Sequence, residues 1–296
     1  MKPPEQSGAI ATTGLQNWKI VVAYDGTDFS GWQVQPGQPT IQGELQNALG
    51  RVTGEAPLPQ GSGRTDAGVH ALAQVASFAL KASIPAQNLR RALNRTLPAA
   101  IRVLEADLAS DEFHARHSTV AKTYEYHVFL ERLDNLSTEA DRNRTFICPP
   151  CLARYVYAYP WPLDFGALQR SAEFFLGSQD FLSFAATDPD VAARSGARPT
   201  ISDEEGSEIA SAVRTIFSSA WERRVDGEGT MLVYRVRGNG FLHHMVRNLV
   251  GTMLDVGRGY RRPDEIPGMI AARARAAAGP TAPARGLFLH SVEYSQ

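Results

Sequence analysis

The chain has 296 residues, 43% of them apolar and 21% charged, with a net charge of −1. Such a length suggests about two domains, and the composition is that of an ordinary globular protein, which excludes disordered, fibrous and collagen-like classes. No run of 18 apolar residues occurs and residues 1–17 are polar without an apolar h-region, so we expect a cytoplasmic protein with a flexible tail over 1–17 and no membrane association.

Residues 18–24 (Trp-Lys-Ile-Val-Val-Ala-Tyr) read as a strand that Asp25-Gly26 ends. A loop with Phe29, Gly31 and Trp32 follows, its aromatics suited to stacking a displaced base or to core packing. Thr40 is then placed to cap a helix to about Thr53, with Ile41, Leu45, Ala48 and Leu49 on one face. A short segment and the loop over 63–71 lead to a strand over 72–80, and with that segment a helix from Pro85 to Leu97 and a strand over 101–108 complete a β-α-β-β-α-β unit. The second half repeats the order: a strand over 119–130, a helix from Asp164 to about Leu176, strands over 213–222 and 230–237, helices over 241–256 and 263–277, and a final strand over 287–294. The expected fold is therefore α+β, with two similar β-α-β-β-α-β lobes (18–112 and 113–296) whose mixed or antiparallel sheets lie side by side around a central cleft. Residues 131–163 and 186–212 stand out as insertions in the second lobe, and the acidic 186–212 segment reads as disordered.

Charge is segregated along the chain. Ala67 to Leu104 contains no acid, while Lys81, Arg90, Arg91, Arg95 and Arg102 lie there; Arg235 to Arg262 carries six arginines against Asp255. Compensating acids cluster at 131–141 and 203–208, an arrangement that can give a neutral protein a basic face for a phosphate backbone.

The strongest candidate for chemistry is Gly63-Arg64-Thr65-Asp66-Ala67-Gly68-Val69-His70-Ala71. An aspartate in such a loop beside a cation can stay ionised and act as nucleophile or base. A buried carboxylate is best paired with a guanidinium that bonds both oxygens, and either Arg64 or Arg247 could supply it. Tyr124 and Tyr126 lie at strand spacing and share a face. His243 and His244 suggest a metal, but adjacent residues on a helix diverge by about 100°, so no metal is expected there. Cys148 and Cys151, the only cysteines, make at most half a zinc site and are read as incidental. No Gly-rich phosphate cradle, His-Glu-x-x-His or Gly-x-Ser-x-Gly motif occurs, so no nucleotide cofactor is expected.

The whole nonapeptide at 63–71 resembles the signature loop of the tRNA pseudouridine synthase A family. The resemblance extends to Tyr24-Asp25-Gly26 with Phe29 and Gly31-Trp32-Gln33, to Phe113-His114-Ala115-Arg116 and Lys122-Thr123-Tyr124, and to Asp180-Phe181. It continues through Gly240 to Gly251 with Met245-Val246-Arg247, then Ala282-Pro283 and Gly286-Leu287. It implies a homodimer that isomerises uridine to pseudouridine at positions 38 to 40 of the tRNA anticodon stem-loop, without cofactor or metal. By position it implies Asp66 as the catalytic residue, Arg247 as its salt-bridge partner and Tyr124 as the tyrosine beside the base. Leu287 would line the uracil pocket, and Arg64 would handle the RNA and the flipped base. Asp66 could then act by attacking C1′ or C6, or by helping a proton leave C2′, and Arg90, Arg91 and Arg95 are candidates for gripping the RNA. His117 departs from the apolar or aromatic residue often found in the family at that position. The alternatives are a tRNA-binding protein without catalysis and a uridine isomerase acting on another RNA.

Overall fold

The computed structural model describes residues 14–131, 148–186, 211–226 and 229–295. Residues 132–147 of the 131–163 insertion and nearly all of 186–212, including the expected disorder, lie outside the described residues, as does the tail up to residue 13.

The first strand, β1 (Gln16–Tyr24), alternates faces so that Trp18, Ile20, Val22 and Tyr24 are buried. Helix α1 (Ile41–Thr53) follows, its Thr40 side chain accepting from the Gly43 N–H as an N-cap. It buries Ile41, Leu45, Ala48 and Leu49, the face its 3.6-residue spacing marks. A short strand β2 (Gln60–Gly61) precedes β3 (His70–Leu80); α2 (Ala86–Thr96) and β4 (Ile101–Leu108) complete the first half.

The second half opens with the long strand β5 (Thr119–Glu131). Three elements absent from the sequence expectation come next or soon after: a one-turn helix α3 (Pro150–Ala153) and the short strands β6 (Tyr157–Ala158) and β7 (Gly177–Asp180). Helix α4 (Phe165–Glu173) lies between these strands, with Asp164 as its N-cap. Strands β8 (Val213–Asp226) and β9 (Gly229–Gly238), helices α5 (Met245–Gly257) and α6 (Ile266–Ala271), and β10 (Leu287–Tyr294) complete the chain. The helix expected over 263–277 is in fact α6 flanked by 3-10 turns at Pro263–Glu265 and Arg275–Ala277. Helix α5 starts at Met245 rather than 241, because Gly238-Asn239-Gly240 delays helix entry and His244 adopts a left-handed conformation (φ 59°, ψ 4°) that breaks the run.

All ten strands form one mixed sheet with the order β4-β1-β3-β10-β5-β9-β8-β7, β2 pairing with β3 and β6 with β5. Strand β10 joins the halves: it runs antiparallel to β5 over seven residue pairs but meets β3 in parallel through only Phe288–His70 and Leu289–Ala71. Tyr24, Ala71, Leu289, Tyr124 and Val236 are successive partners across five strands, so they share one face. Among the described residues no helix is long and apolar enough to cross a membrane.

Candidate active site

The 63–71 loop runs from the end of β2 into β3, at the junction of the two halves. Its position is held by the aromatic loop after β1. Trp32 N–H donates to the Thr65 carbonyl at 3.0 Å, the Tyr24 and Thr65 hydroxyls bond at 2.8 Å, and Gly26 N–H donates to His70 Nδ1 at 3.1 Å. Gly31 has φ +88°, and a Cβ there would meet the Thr65 carbonyl at 2.5 Å, so only glycine lets the two loops approach this closely. Trp32, 2% exposed, therefore packs in the core and is not available to stack a displaced base.

Asp66 faces the start of α5. Arg247 Nη1 donates to Asp66 Oδ2 at 2.9 Å across 181 residues of sequence, while its Nε donates to the Ala282 carbonyl at 2.8 Å. The contact is thus monodentate toward the carboxylate, where sequence reasoning expected a guanidinium bonding both oxygens. The Ala282 segment lies against α5 because Gly251 makes room for it: a Cβ there would meet the Pro280 carbonyl at 1.7 Å.

Two further side chains reach the same carboxylate. His244 Nε2 is 3.1 Å from Asp66 Oδ2 and His243 Nε2 is 3.4 Å from Oδ1, with the two rings stacked at a centroid distance of 3.9 Å. The expectation that adjacent histidines diverge is corrected: it assumed a helical pair, but both residues precede α5, and the left-handed turn at His244 brings the rings together. The sequence signal that could have found them is Gly238-Asn239-Gly240, which moves the helix start past the histidines.

Burial pushes the Asp66 carboxyl up, but hydrogen bonds from His243 and His244, with the charge of both rings, outweigh this and hold it well below the usual carboxylate range. The donor atoms of Asp66, His243 and His244 lie within 4.8 Å of one another, so these three could hold a divalent ion. The Arg247 guanidinium already bonds Oδ2, however, and would repel a cation bound there.

Asp66 opens into a pocket that Arg64, Tyr124, Leu242, Val246 and Leu287 also line. Tyr124, 2% exposed, meets Phe241 edge to face at 5.2 Å, and its neighbour Tyr126 donates its hydroxyl to the Pro283 carbonyl at 2.8 Å. The pocket thus has an ionised carboxylate, an apolar wall and a tyrosine, which suits holding a planar heterocycle against a nucleophile or base. The structure brings Asp66, Arg247, Tyr124, Arg64 and Leu287 together. It places Arg90, Arg91 and Arg95 elsewhere, exposed on α2, whose Leu89 and Leu93 are buried. Cys148 is half-buried and Cys151 exposed, on either side of the α3 start.

Fold and pocket together define an α+β protein with one large mixed sheet and a carboxylate-bearing pocket at the junction of its halves. The tRNA pseudouridine synthase family matches residues 20–118 and 172–295, and the chain belongs to it. The proteins it is similar to include tRNA pseudouridine synthase A of Solibacter usitatus, 48% identical over 95% of this chain and 100% of that one. They also include tRNA pseudouridine synthase A of Maridesulfovibrio salexigens, 40% identical over 95% of this chain and 92% of that one. The enzyme of the same name from Bacillus pumilus is 41% identical over 93% of this chain and 98% of that one.

Proposed function

We propose that this isomerase of tRNA uridine acts on the anticodon stem-loop, at positions 38 to 40, as a cytoplasmic homodimer with Asp66 as the reacting carboxylate. The observation that carries the reading is an ionised aspartate in a pocket at the junction of the two halves, held by donors from the opposite half of the chain. Both halves follow the same spatial strand order, β4-β1-β3-β2 and β10-β5-β9-β8, which supports two similar lobes (18–112 and 113–296) around a catalytic cleft.

The reaction breaks the C1′–N1 bond of uridine, turns the uracil and rejoins it through C5, whose hydrogen is then lost as a proton while N1 takes one up from solvent, so that the product is an isomer. The bases are out of reach inside a stacked stem-loop, so the target must first be extruded. Arg64 on the pocket wall is placed to meet the RNA as the base leaves the stack. Tyr124 and Leu287 then bound the uracil while Asp66 acts as nucleophile or base at the reacting sugar–base unit. No step requires a cofactor.

The test is to incubate the protein with tRNA tritiated at uracil C5, follow tritium release and map the modified sites. Release at the anticodon stem-loop is expected, and Asp66→Asn should abolish it while leaving tRNA affinity close to wild type, because an amide is neither a competent nucleophile nor a base. Losing a nucleophile costs several orders of magnitude, so an Asp66→Asn rate above about one per cent of wild type would contradict the assignment.

A further inference from the structure

The reacting carboxylate has more donors than an arginine pair requires, and the additional ones come from a strained backbone. His244 is one of two non-glycine residues with positive φ among the described residues, a backbone conformation that is strained for a residue with a Cβ. Strain of that kind persists where the surroundings impose it. Here the two imidazoles stack at 3.9 Å and bring one Nε2 to each oxygen of Asp66, at 3.4 Å from Oδ1 and 3.1 Å from Oδ2. With φ below zero at His244 the chain would enter α5 one residue earlier, and the rings would fan apart around the helix.

We propose that His243 and His244 are positioning residues of the isomerisation: as a stacked pair they fix both oxygens of Asp66 in the orientation that meets the substrate. Arg247 cannot do this alone. It reaches Oδ2 only through Nη1, and its Nε is engaged by the Ala282 carbonyl. A carboxylate held at one oxygen can still rotate about its Cβ–Cγ bond, whereas donors at both oxygens define its plane. A misplacement of the reacting atom by about 1 Å is enough to cost on the order of 100-fold in rate. The pair also keeps Asp66 ionised, since hydrogen bonds from the two imidazoles offset the effect of burial. The side chains of His243, His244 and Asp66 keep 19%, 27% and 24% of their exposure, so small solutes can reach the pair.

The proposal rests on Asp66 being the reacting group, and the experiment separates the two. His244→Gly accepts the left-handed backbone and removes the ring. Its melting temperature should not fall, kcat for tritium release should drop about 10- to 100-fold, and KM for tRNA should stay within about twofold. Added imidazole should restore part of the lost rate by occupying the vacated site. His243→Gln, which keeps an N–H near the Nε2 position, should retain most activity, whereas His243→Leu should not. Wild-type kcat in both His244→Gly and His243→Leu, with Asp66→Asn inactive, would overturn the positioning role and leave the function standing. An active Asp66→Asn would overturn both. Loss of activity accompanied by a lower melting temperature and no rescue by imidazole would make the pair merely structural. Inactivation of the wild type by chelator, reversed by zinc, would make the histidines metal ligands and equally overturn the proposal.

Discussion

Arg247 divides its guanidinium between the Asp66 carboxylate and the Ala282 carbonyl, so it ties the Asp66 loop to the segment that precedes β10. Removing it would leave a partly buried carboxylate with one donor fewer and would also free that segment. We expect Arg247→Met to lower kcat about 100-fold, in line with a few kcal/mol for one partner of such a pair. The histidines still hold Asp66 ionised, so the loss should be the same throughout the neutral pH range. Arg247→Lys should recover little, because an ammonium on a flexible stem does not reproduce a planar fork bonded to two fixed acceptors. Steady-state tritium release as a function of pH checks both, and a wild-type rate in Arg247→Met would remove the residue from the site. Arg64, Tyr124 and Leu287 line the same pocket. The residues alone offered Arg64 as a partner for the carboxylate and Tyr124 as a strand residue, and only the motif around Leu287 singled it out.

Strand β5 serves two purposes on its two faces. One face presents Tyr124 and Tyr126 toward the pocket and its supports. The other carries Glu125, nearly buried, with His127 Nε2 at 3.1 Å, Arg235 on the paired strand β9 with Nε at 2.8 Å, and His290 Nε2 on β10 at 3.7 Å. The His127 hydrogen bond, opposed by burial and reinforced by Arg235, lowers the Glu125 carboxyl from 4.5 to about 2. A group with its folded value depressed adds stability that is complete above the unfolded value and is lost as pH falls through the folded one. Stability should therefore decline between about pH 4.5 and 2 as this cluster protonates. Glu125→Gln should cost about 2 kcal/mol at neutral pH, because it removes the buried charge on which His127, Arg235 and His290 converge, and it should flatten that acid decline. Urea midpoints measured across this range decide the matter: an unchanged acid slope in the variant would exclude Glu125 as its source. The helices tell a similar story of local rules meeting context. Helix α1 begins and ends close to where its cap and spacing place it, because Thr40 and Gly54 satisfy the end groups locally. The start of α5 was misplaced because helical periodicity was read straight past Gly238-Asn239-Gly240, whereas His244 is left-handed and the helix begins only at Met245.

Across the whole molecule, acid-free and arginine-rich segments share a chain of net charge −1. If Arg90, Arg91 and Arg95 on the exposed side of α2 grip the tRNA, affinity should fall steeply with salt. Each charge removed should then shallow the slope of log K against log salt by about 0.7 to 0.9. A triple substitution with an unchanged slope would move the RNA face away from α2. The α+β class, most strands and the first three long helices were legible in the sequence because strand alternation, helical periodicity, caps and glycine turns are properties of neighbouring residues. So was the 63–71 loop that lines the pocket, whose residue types are confined to nine consecutive positions. Tertiary structure decided what depends on distant segments meeting. Sheet continuity depends on β10 adding in parallel to β3 through two residue pairs, a short contact with no periodic signature of its own. The Arg247 bond to Asp66 spans 181 residues, and the stacked histidines reach the Asp66 carboxylate only because the two halves of the chain meet there.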